Sequence, residues 1–292
     1  MVSNLVGGYA GSTFVGEVTV GQDEGATAVY VSYDTGSDWL QIYNTSCLNG
    51  TCQSVGFDPA ASGTLISPRV VERSFGLIKQ EGHVYEDRVC VSHLGTVCLN
   101  NCSYFFVEQF TLGNNDTTPI YPANGVLGMT RGQPDPNLLP VPEVGPLIVP
   151  MLKEAGLADF STFAFYLDNS AGGKVSWVDF NGFVKHNIKN EAESKIIWTK
   201  MQDSFYWETT CQGVSFGEPS SDNSFSFKKG SKIIAIFDTG TSFTMIPDFY
   251  WIQYLNILIH KIGLEDSKIS QGYLTFPCTE QSKFPVLYFM IN

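Results

Sequence analysis

Short apolar runs separated by turn-forming residues recur along nearly the whole chain. Thr13-Phe-Val-Gly-Glu-Val-Thr-Val20 and Ala28-Val-Tyr-Val-Ser-Tyr33 read as strands. Gly132-Gln-Pro-Asp-Pro-Asn137 and Gly217-Glu-Pro-Ser-Ser-Asp-Asn223 are dense in turn formers and read as loops. Helical spacing is confined to two stretches. One runs from Gly145 to Gly156, a residue suited to a helix C-cap. The other runs from Pro247 to Ile262, with Trp251, Tyr254, Leu255, Leu258 and Ile259 on one face. Both are expected to pack on sheets, so the chain reads as mainly β.

One of these strands has a second copy. Ala28-Val-Tyr-Val-Ser-Tyr-Asp34-Thr-Gly-Ser37 is echoed by Lys232-Ile-Ile-Ala-Ile-Phe-Asp238-Thr-Gly-Thr241, 204 residues later. Each copy is an apolar strand, an aromatic residue and then Asp-Thr-Gly-Ser/Thr. An offset of that size is too long for a solenoid period and implies two similar lobes, each contributing one carboxylate.

A lone Asp-Thr-Gly is an ordinary turn after a strand. Two of them allow carboxyl groups to be set side by side, where both cannot ionise cheaply and one proton is shared. Such a pair acts as general acid and general base together on a water and a carbonyl group. On that reading Gly36 and Gly240 permit the loops to approach closely. Thr35 and Thr239 hydrogen-bond across to the opposite loop, while Ser37 and Thr241 hold the outer carboxylate oxygens.

Further segments carry the same pattern: Cys47-Leu-Asn-Gly-Thr-Cys52, Phe75-Gly76 through Asp87-Arg-Val-Cys-Val91, Asn124-Gly-Val-Leu-Gly128, Phe163-Ala-Phe-Tyr-Leu167 to Val178, and Tyr206-Trp-Glu208. With the two Asp-Thr-Gly loops, they resemble the pepsin-like aspartic protease family of the pepsin and cathepsin D type, from about Thr13 to the end of the chain. The resemblance implies a bilobal all-β fold with closed-barrel-like lobes. Residues 1–185 would form an N-terminal lobe with the first catalytic Asp and the flap. Residues 186–292 would form a partial C-terminal lobe with the second. It implies catalysis by Asp34 and Asp238, supported by Thr35, Gly36, Ser37, Thr239, Gly240 and Thr241. Phe75, Gly76, Leu77 and Ser242 would contact substrate, and Cys47 would pair with Cys52. The implied partners are polypeptide substrates met by a monomer, with no cofactor and no metal.

The chain departs from the family pattern at several points. Phe75 stands where tyrosine is usual, Asn124 where aspartate is usual, and Ser37-Asp38-Trp39-Leu40 is a shorter first loop. The end, Phe284-Pro-Val-Leu-Tyr-Phe-Met-Ile-Asn292, resembles a family strand that precedes the C-terminus, so an incomplete second lobe is expected. That would leave Cys278 without its partner. The alternative reading is a non-catalytic peptide- or protein-binding module that keeps the fold.

Composition narrows the classes without choosing among them. Of the 292 residues 43% are hydrophobic and 16% charged, which suits a globular chain with a sizeable core. A net charge of −12 argues against nucleic-acid binding and fits work at low pH. No run approaches the roughly 18 apolar residues of a membrane span, and the N-terminus lacks the basic start and apolar core of a signal peptide. Seven cysteines and four sequons, at Asn44, Asn49, Asn101 and Asn115, favour the secretory pathway, outside the cell or in a lysosome or vacuole. Cys90, Cys98, Cys102 and Cys211 allow two disulfides of open connectivity. Gly213-Val-Ser-Phe-Gly217 mimics a nucleophile elbow, but the turn-rich segment after it predicts a hairpin strand. His83, His93, His186 and His260 have no metal-ligand spacing.

Overall fold

Alternating burial along the strands shows how the sequence pattern becomes a sheet. A computed structural model of the chain describes residues 2–7, 14–22, 26–44, 57–66, 68–75, 78–91, 97–112, 123–131, 148–149, 152, 156, 163–167, 176–179, 197–202, 205–218, 224–226, 233–241, 243–262, 269–270, 273–274 and 277–291. They fall into two units. The first comprises Met1–Ile197, Asp203–Trp207 and Phe237–Ser242. The second comprises Trp198–Gln202, Glu208–Ile236 and Phe243–Asn292. The expected lobe boundary near residue 185 lies outside the described residues.

Eleven strands of the first unit form one sheet: β1 (Val2–Gly7), β2 (Phe14–Val20), β3 (Thr27–Asp34), β4 (Leu40–Tyr43), β5 (Thr64–Leu65), β6 (Val71–Phe75), β7 (Ile78–Val91), β8 (Val97–Leu112), β9 (Gly125–Gly128), β10 (Ala164–Tyr166) and β11 (Ser176–Asp179). The strands predicted from the opening pattern are β2 and β3. Within the sheet the path β2–β3–β9–β4–β8–β7 closes on itself, because Val18, Thr19 and Val20 of β2 pair with Val91, Cys90 and Val89 of β7. Closure removes the exposed strand edges an open sheet would present. Val18, Val20, Val29, Val31, Ile42, Val89 and Leu127 are buried together in its core.

The pairing of β9 inside this barrel sets the position of the first Asp-Thr-Gly loop. β9 lies parallel to β3, with Val31 opposite Gly125 and Asp34 opposite Gly128, and antiparallel to β4. Four consecutive buried residues make β9 a strand covered on both faces, which is why its sequence is apolar without alternation. β6 and β7 form the hairpin that the flap resemblance anticipated, closing with Phe75 opposite Ile78.

The second unit contains β12 (Glu208–Phe216), β13 (Ser224–Ser226), β14 (Ile233–Ile236), α1 (Asp248–Ile262), β15 (Ile269–Ser270), β16 (Tyr273–Leu274) and β17 (Leu287–Ile291). β12 pairs antiparallel with β13, β14 and β17, and β15 pairs with β16. The predicted helix is α1. Trp251, Tyr254, Leu255 and Ile259 are half-buried, and the Tyr254 ring stacks on Phe216 with centroids 4.4 Å apart. Phe249 and Ile252 of the same helix are exposed. Ser215 lies within β12, fully buried, and its hydroxyl donates to the Gly217 carbonyl at 3.0 Å, so no nucleophile elbow forms. Of the other predicted helix, residues 148, 149 and 152 are helical and buried, and Gly156 has φ +66°.

The structure decides a connectivity that the sequence left open. Cys90 and Cys98, opposite each other on β7 and β8, form a disulfide. Cys102 and Cys211 do not form a second one, since each is a buried thiol. Cys102 belongs to the barrel core, whereas the Cys211 thiol donates to the Gly213 carbonyl at 3.3 Å. Cys47 and Cys52 lie outside the described residues.

Leu127 is fully buried at the centre of β9. Leu127→Ala is expected to destabilise the first unit by about 2–5 kcal/mol, the usual range for a buried leucine truncation, as read from the midpoint of urea unfolding.

Candidate active site

Asp34 is the last residue of β3, and the loop after it is stitched to β9 by backbone bonds. Met129 N–H donates to the Asp34 carbonyl at 2.8 Å, Thr130 N–H to Ser37 at 3.1 Å, and Gly128 N–H to Trp39 at 2.9 Å. Asp238 lies two residues after the end of β14, and the Phe237 N–H donates to the Trp207 carbonyl at 3.0 Å. The Trp207 indole N–H in turn donates to the Met129 carbonyl at 2.7 Å. Both Asp-Thr-Gly loops belong to the first unit.

The loops are joined by a reciprocal set of bonds. The Thr35 hydroxyl donates to the Phe237 carbonyl at 2.6 Å and accepts from the Thr239 N–H at 2.9 Å. The Thr239 hydroxyl donates to the Tyr33 carbonyl at 2.6 Å and accepts from the Thr35 N–H at 3.1 Å. Each hydroxyl proton is thereby used, so the 3.4 Å approach of the two hydroxyl oxygens is a contact without a proton of its own.

The carboxylates have matching cradles. Gly36 N–H and the Ser37 hydroxyl donate to the two oxygens of Asp34 at 2.8 and 2.6 Å. Gly240 N–H and the Thr241 hydroxyl donate to those of Asp238 at 2.8 and 2.5 Å. Each carboxyl also presses on the glycine of the opposite loop. A Cβ on Gly36 would fall 2.5 Å from the Asp238 carboxyl carbon, and one on Gly240 would overlap the Asp34 carboxyl. Only glycine leaves room for the two acids to face each other.

Burial pushes the Asp34 carboxyl up to about 7. The Ser37 hydroxyl bond opposes that shift, the charge of Asp238 and a hydrogen bond with its carboxyl add to it, and the Gly36 N–H draws it back. The folded chain therefore retains a proton on Asp34 through the acidic range, next to a second carboxyl. Such a pair can accept a proton at one oxygen while delivering one from another.

Thr35, Gly36, Ser37, Thr239, Gly240 and Thr241 thus all meet around Asp34 and Asp238. Gly76, Leu77 and Ser242 lie outside the described residues, and Phe75 is placed by its backbone pairing alone. Three residues at the loop make contacts that the sequence did not indicate. Asp38 and Arg73 form a buried ion pair of 2.6 Å, and the Arg73 guanidinium lies 3.7 Å from the centre of the Trp39 ring. Asp38 lies in the loop before β4 and Arg73 in the mixed segment Val71-Glu-Arg-Ser-Phe75, so nothing local marks them as partners, and 35 positions separate them. Among the described residues no cluster of potential metal ligands occurs.

A closed barrel carrying two paired Asp-Thr-Gly loops with facing carboxyls is the arrangement of the all-β pepsin-like fold. Comparison with known proteins agrees: the model of the eukaryotic aspartyl protease family matches residues 13–292, and the chain belongs to that family. Gastricsin from Callithrix jacchus is 25% identical over 97% of this chain and 66% of its own length. Aspartic protease 3 from Toxoplasma gondii is 27% identical over 90% of this chain and 39% of its own length. Plasmepsin VI from Plasmodium berghei (strain Anka) is 24% identical over 97% and 59%. The chain therefore spans between about two fifths and two thirds of the length of these relatives.

Both the cross-loop bonds and the raised proton affinity have measurable consequences. Thr239→Val removes a donor from the buried Tyr33 carbonyl and an acceptor from Thr35 N–H, and should cost about 1–3 kcal/mol in denaturant unfolding. For Asp34, the folded chain binds the carboxyl proton more tightly than the unfolded one. Its contribution to stability is therefore complete below about pH 3.8 and is lost as pH rises through about 7. Asp34→Asn should flatten that part of the stability–pH curve.

Proposed function

We propose that this chain carries the catalytic pair of an aspartic endopeptidase, Asp34 and Asp238, sharing one proton at acidic pH. The observation that supports this best is the matched set of bonds around the two carboxyls, together with the raised proton affinity of Asp34. Aspartic proteases are the standard instance of like charges that cannot both ionise at short range.

On this reading a water lies between the acids. The ionised carboxylate takes a proton from it as its oxygen attacks the peptide carbonyl carbon. The protonated carboxyl delivers its proton to the carbonyl oxygen, giving a neutral gem-diol. The newly protonated carboxyl then gives its proton to the leaving nitrogen while the other carboxylate takes one from a gem-diol hydroxyl, the C–N bond breaks, and the pair again holds one proton. The reciprocal Thr35 and Thr239 bonds hold the acids at fixed separation, so that little reorganisation accompanies each transfer. An extended peptide would meet the β6–β7 hairpin through backbone hydrogen bonds. Phe75, Gly76, Leu77 and Ser242 are proposed as its contacts.

The compartment proposed is the secretory pathway, ending outside the cell or in a lysosome or vacuole. The Cys90–Cys98 disulfide and the exposed Asn101 of an Asn-Cys-Ser sequon on β8 support it, the latter as a glycan acceptor. No helix among the described residues is long and apolar enough to cross a membrane.

The full-length protein is expected to cleave a denatured protein substrate at about pH 4, and Asp34→Asn to abolish cleavage. The rate should fall as pH rises through about 7, where Asp34 loses its proton and the shared-proton state is lost. A folded protein that cuts nothing refutes the reading in favour of a peptide-binding module, and one most active well above that pH refutes the shared-proton pair.

A further inference from the structure

We infer that Arg73 is a positioning residue for the Asp34 loop, tying the β6–β7 hairpin to the turn that carries Ser37; this rests on Asp34 being a reacting group. Arg73 sits mid-strand in β6, opposite Gln80 of β7. Its Nη2 donates to Asp38 Oδ1 at 2.6 Å, and the two side chains are 7% and 4% exposed. The same guanidinium covers the Trp39 ring at 3.7 Å, and Trp39 itself packs edge-on against Phe105, 5.6 Å between centroids. One arginine thus holds two successive residues, Asp38 by a charged bond and Trp39 by stacking.

Those two residues come directly after Ser37. The hydroxyl of Ser37 supports one oxygen of Asp34, and the Ser37 and Trp39 carbonyls accept from Thr130 and Gly128. The turn is therefore pinned on one side by β9 and on the other by Arg73. Stability is a poor explanation for the ion pair. Burial works against the Arg73 charge, and Asp38 offsets it by attraction and hydrogen bonding. Replacing a buried pair by apolar groups is often neutral or stabilising, whereas removing one partner is costly. What apolar groups would not reproduce is direction: the planar fork and the stack fix where Asp38 and Trp39 lie, and so where the Ser37 hydroxyl points. Arg73 touches none of the reacting atoms and acts through that loop.

The test compares wild type with Arg73→Met, Arg73→Lys and the double variant Arg73→Met/Asp38→Val, by amide hydrogen exchange and by kcat, KM and their pH profiles. In Arg73→Met, exchange should quicken together in residues 71–75 and 35–40, and kcat should fall by up to about a hundredfold with little change in KM. The upper limb of the pH profile should move to higher pH, because Ser37 no longer steadies the ionised Asp34. Arg73→Lys, which keeps charge without the planar stack, should recover part of the rate. The double variant keeps the fold by removing both charges, and should regain stability while kcat stays low. A double variant with wild-type kcat and pH limb overturns the inference, as does faster exchange confined to residues 71–75. If wild type itself cuts nothing, the catalytic reading fails. Exchange then decides alone: coupled loosening of both segments upholds the tie to the Asp34 loop, and uncoupled loosening overturns it.

Discussion

Two acidic side chains held face to face repel each other once both are charged, and this structure is organised to hold them there. The opposing force is covalent and hydrogen-bonded at once: Asp34 ends a barrel strand, Asp238 comes just after another strand, and Thr35 and Thr239 make four bonds across the gap, two with each other and one each to the Phe237 and Tyr33 carbonyls. Repulsion and burial leave one inexpensive response, which is retention of a proton, and the raised affinity of Asp34 is that response. Glycines at Gly36 and Gly240 reflect the same constraint, because any larger residue would take the space of the opposite carboxyl.

The barrel supplies the rigidity that this arrangement needs. β9 is sandwiched between β3 and β4, so the Asp34 loop emerges from a strand paired on both sides and is bonded to Gly128, Met129 and Thr130 immediately beyond. Arg73 adds a tie from the other direction. Trp207 extends the support to the second loop, since its indole reaches Met129 and its carbonyl holds Phe237. A loop fastened from several directions keeps its carboxylate geometry without relying on its own short sequence, and pre-set donors of this kind cost no reorganisation when charge moves.

The disulfide content shows how topology limits chemistry. Cys90 and Cys98 are opposite each other in adjacent strands and can bond. Cys102 lies four positions further along the same strand as Cys98, and after the shift in register it is opposite Asp87. Its burial pushes the thiol up to about 12, which makes it an inert core group at physiological pH.

By itself the sequence determined the strands β2 and β3, the helix α1, the two Asp-Thr-Gly loops and the hydrogen-bonding positions of their Thr and Ser neighbours. These are legible because they depend on local periodicity and on a repeat whose copies can be laid over each other. Tertiary structure decided the rest. The closing pair of β2 with β7, the choice of Cys90–Cys98 among the possible disulfides, and the Arg73–Asp38–Trp39 cluster all join residues far apart in the chain or in positions that several registers would permit. No local pattern encodes them. A charged residue in a strand or a loop has a solvated reading and a paired one, and only the packing of the strands around it shows which partner comes within hydrogen-bonding distance.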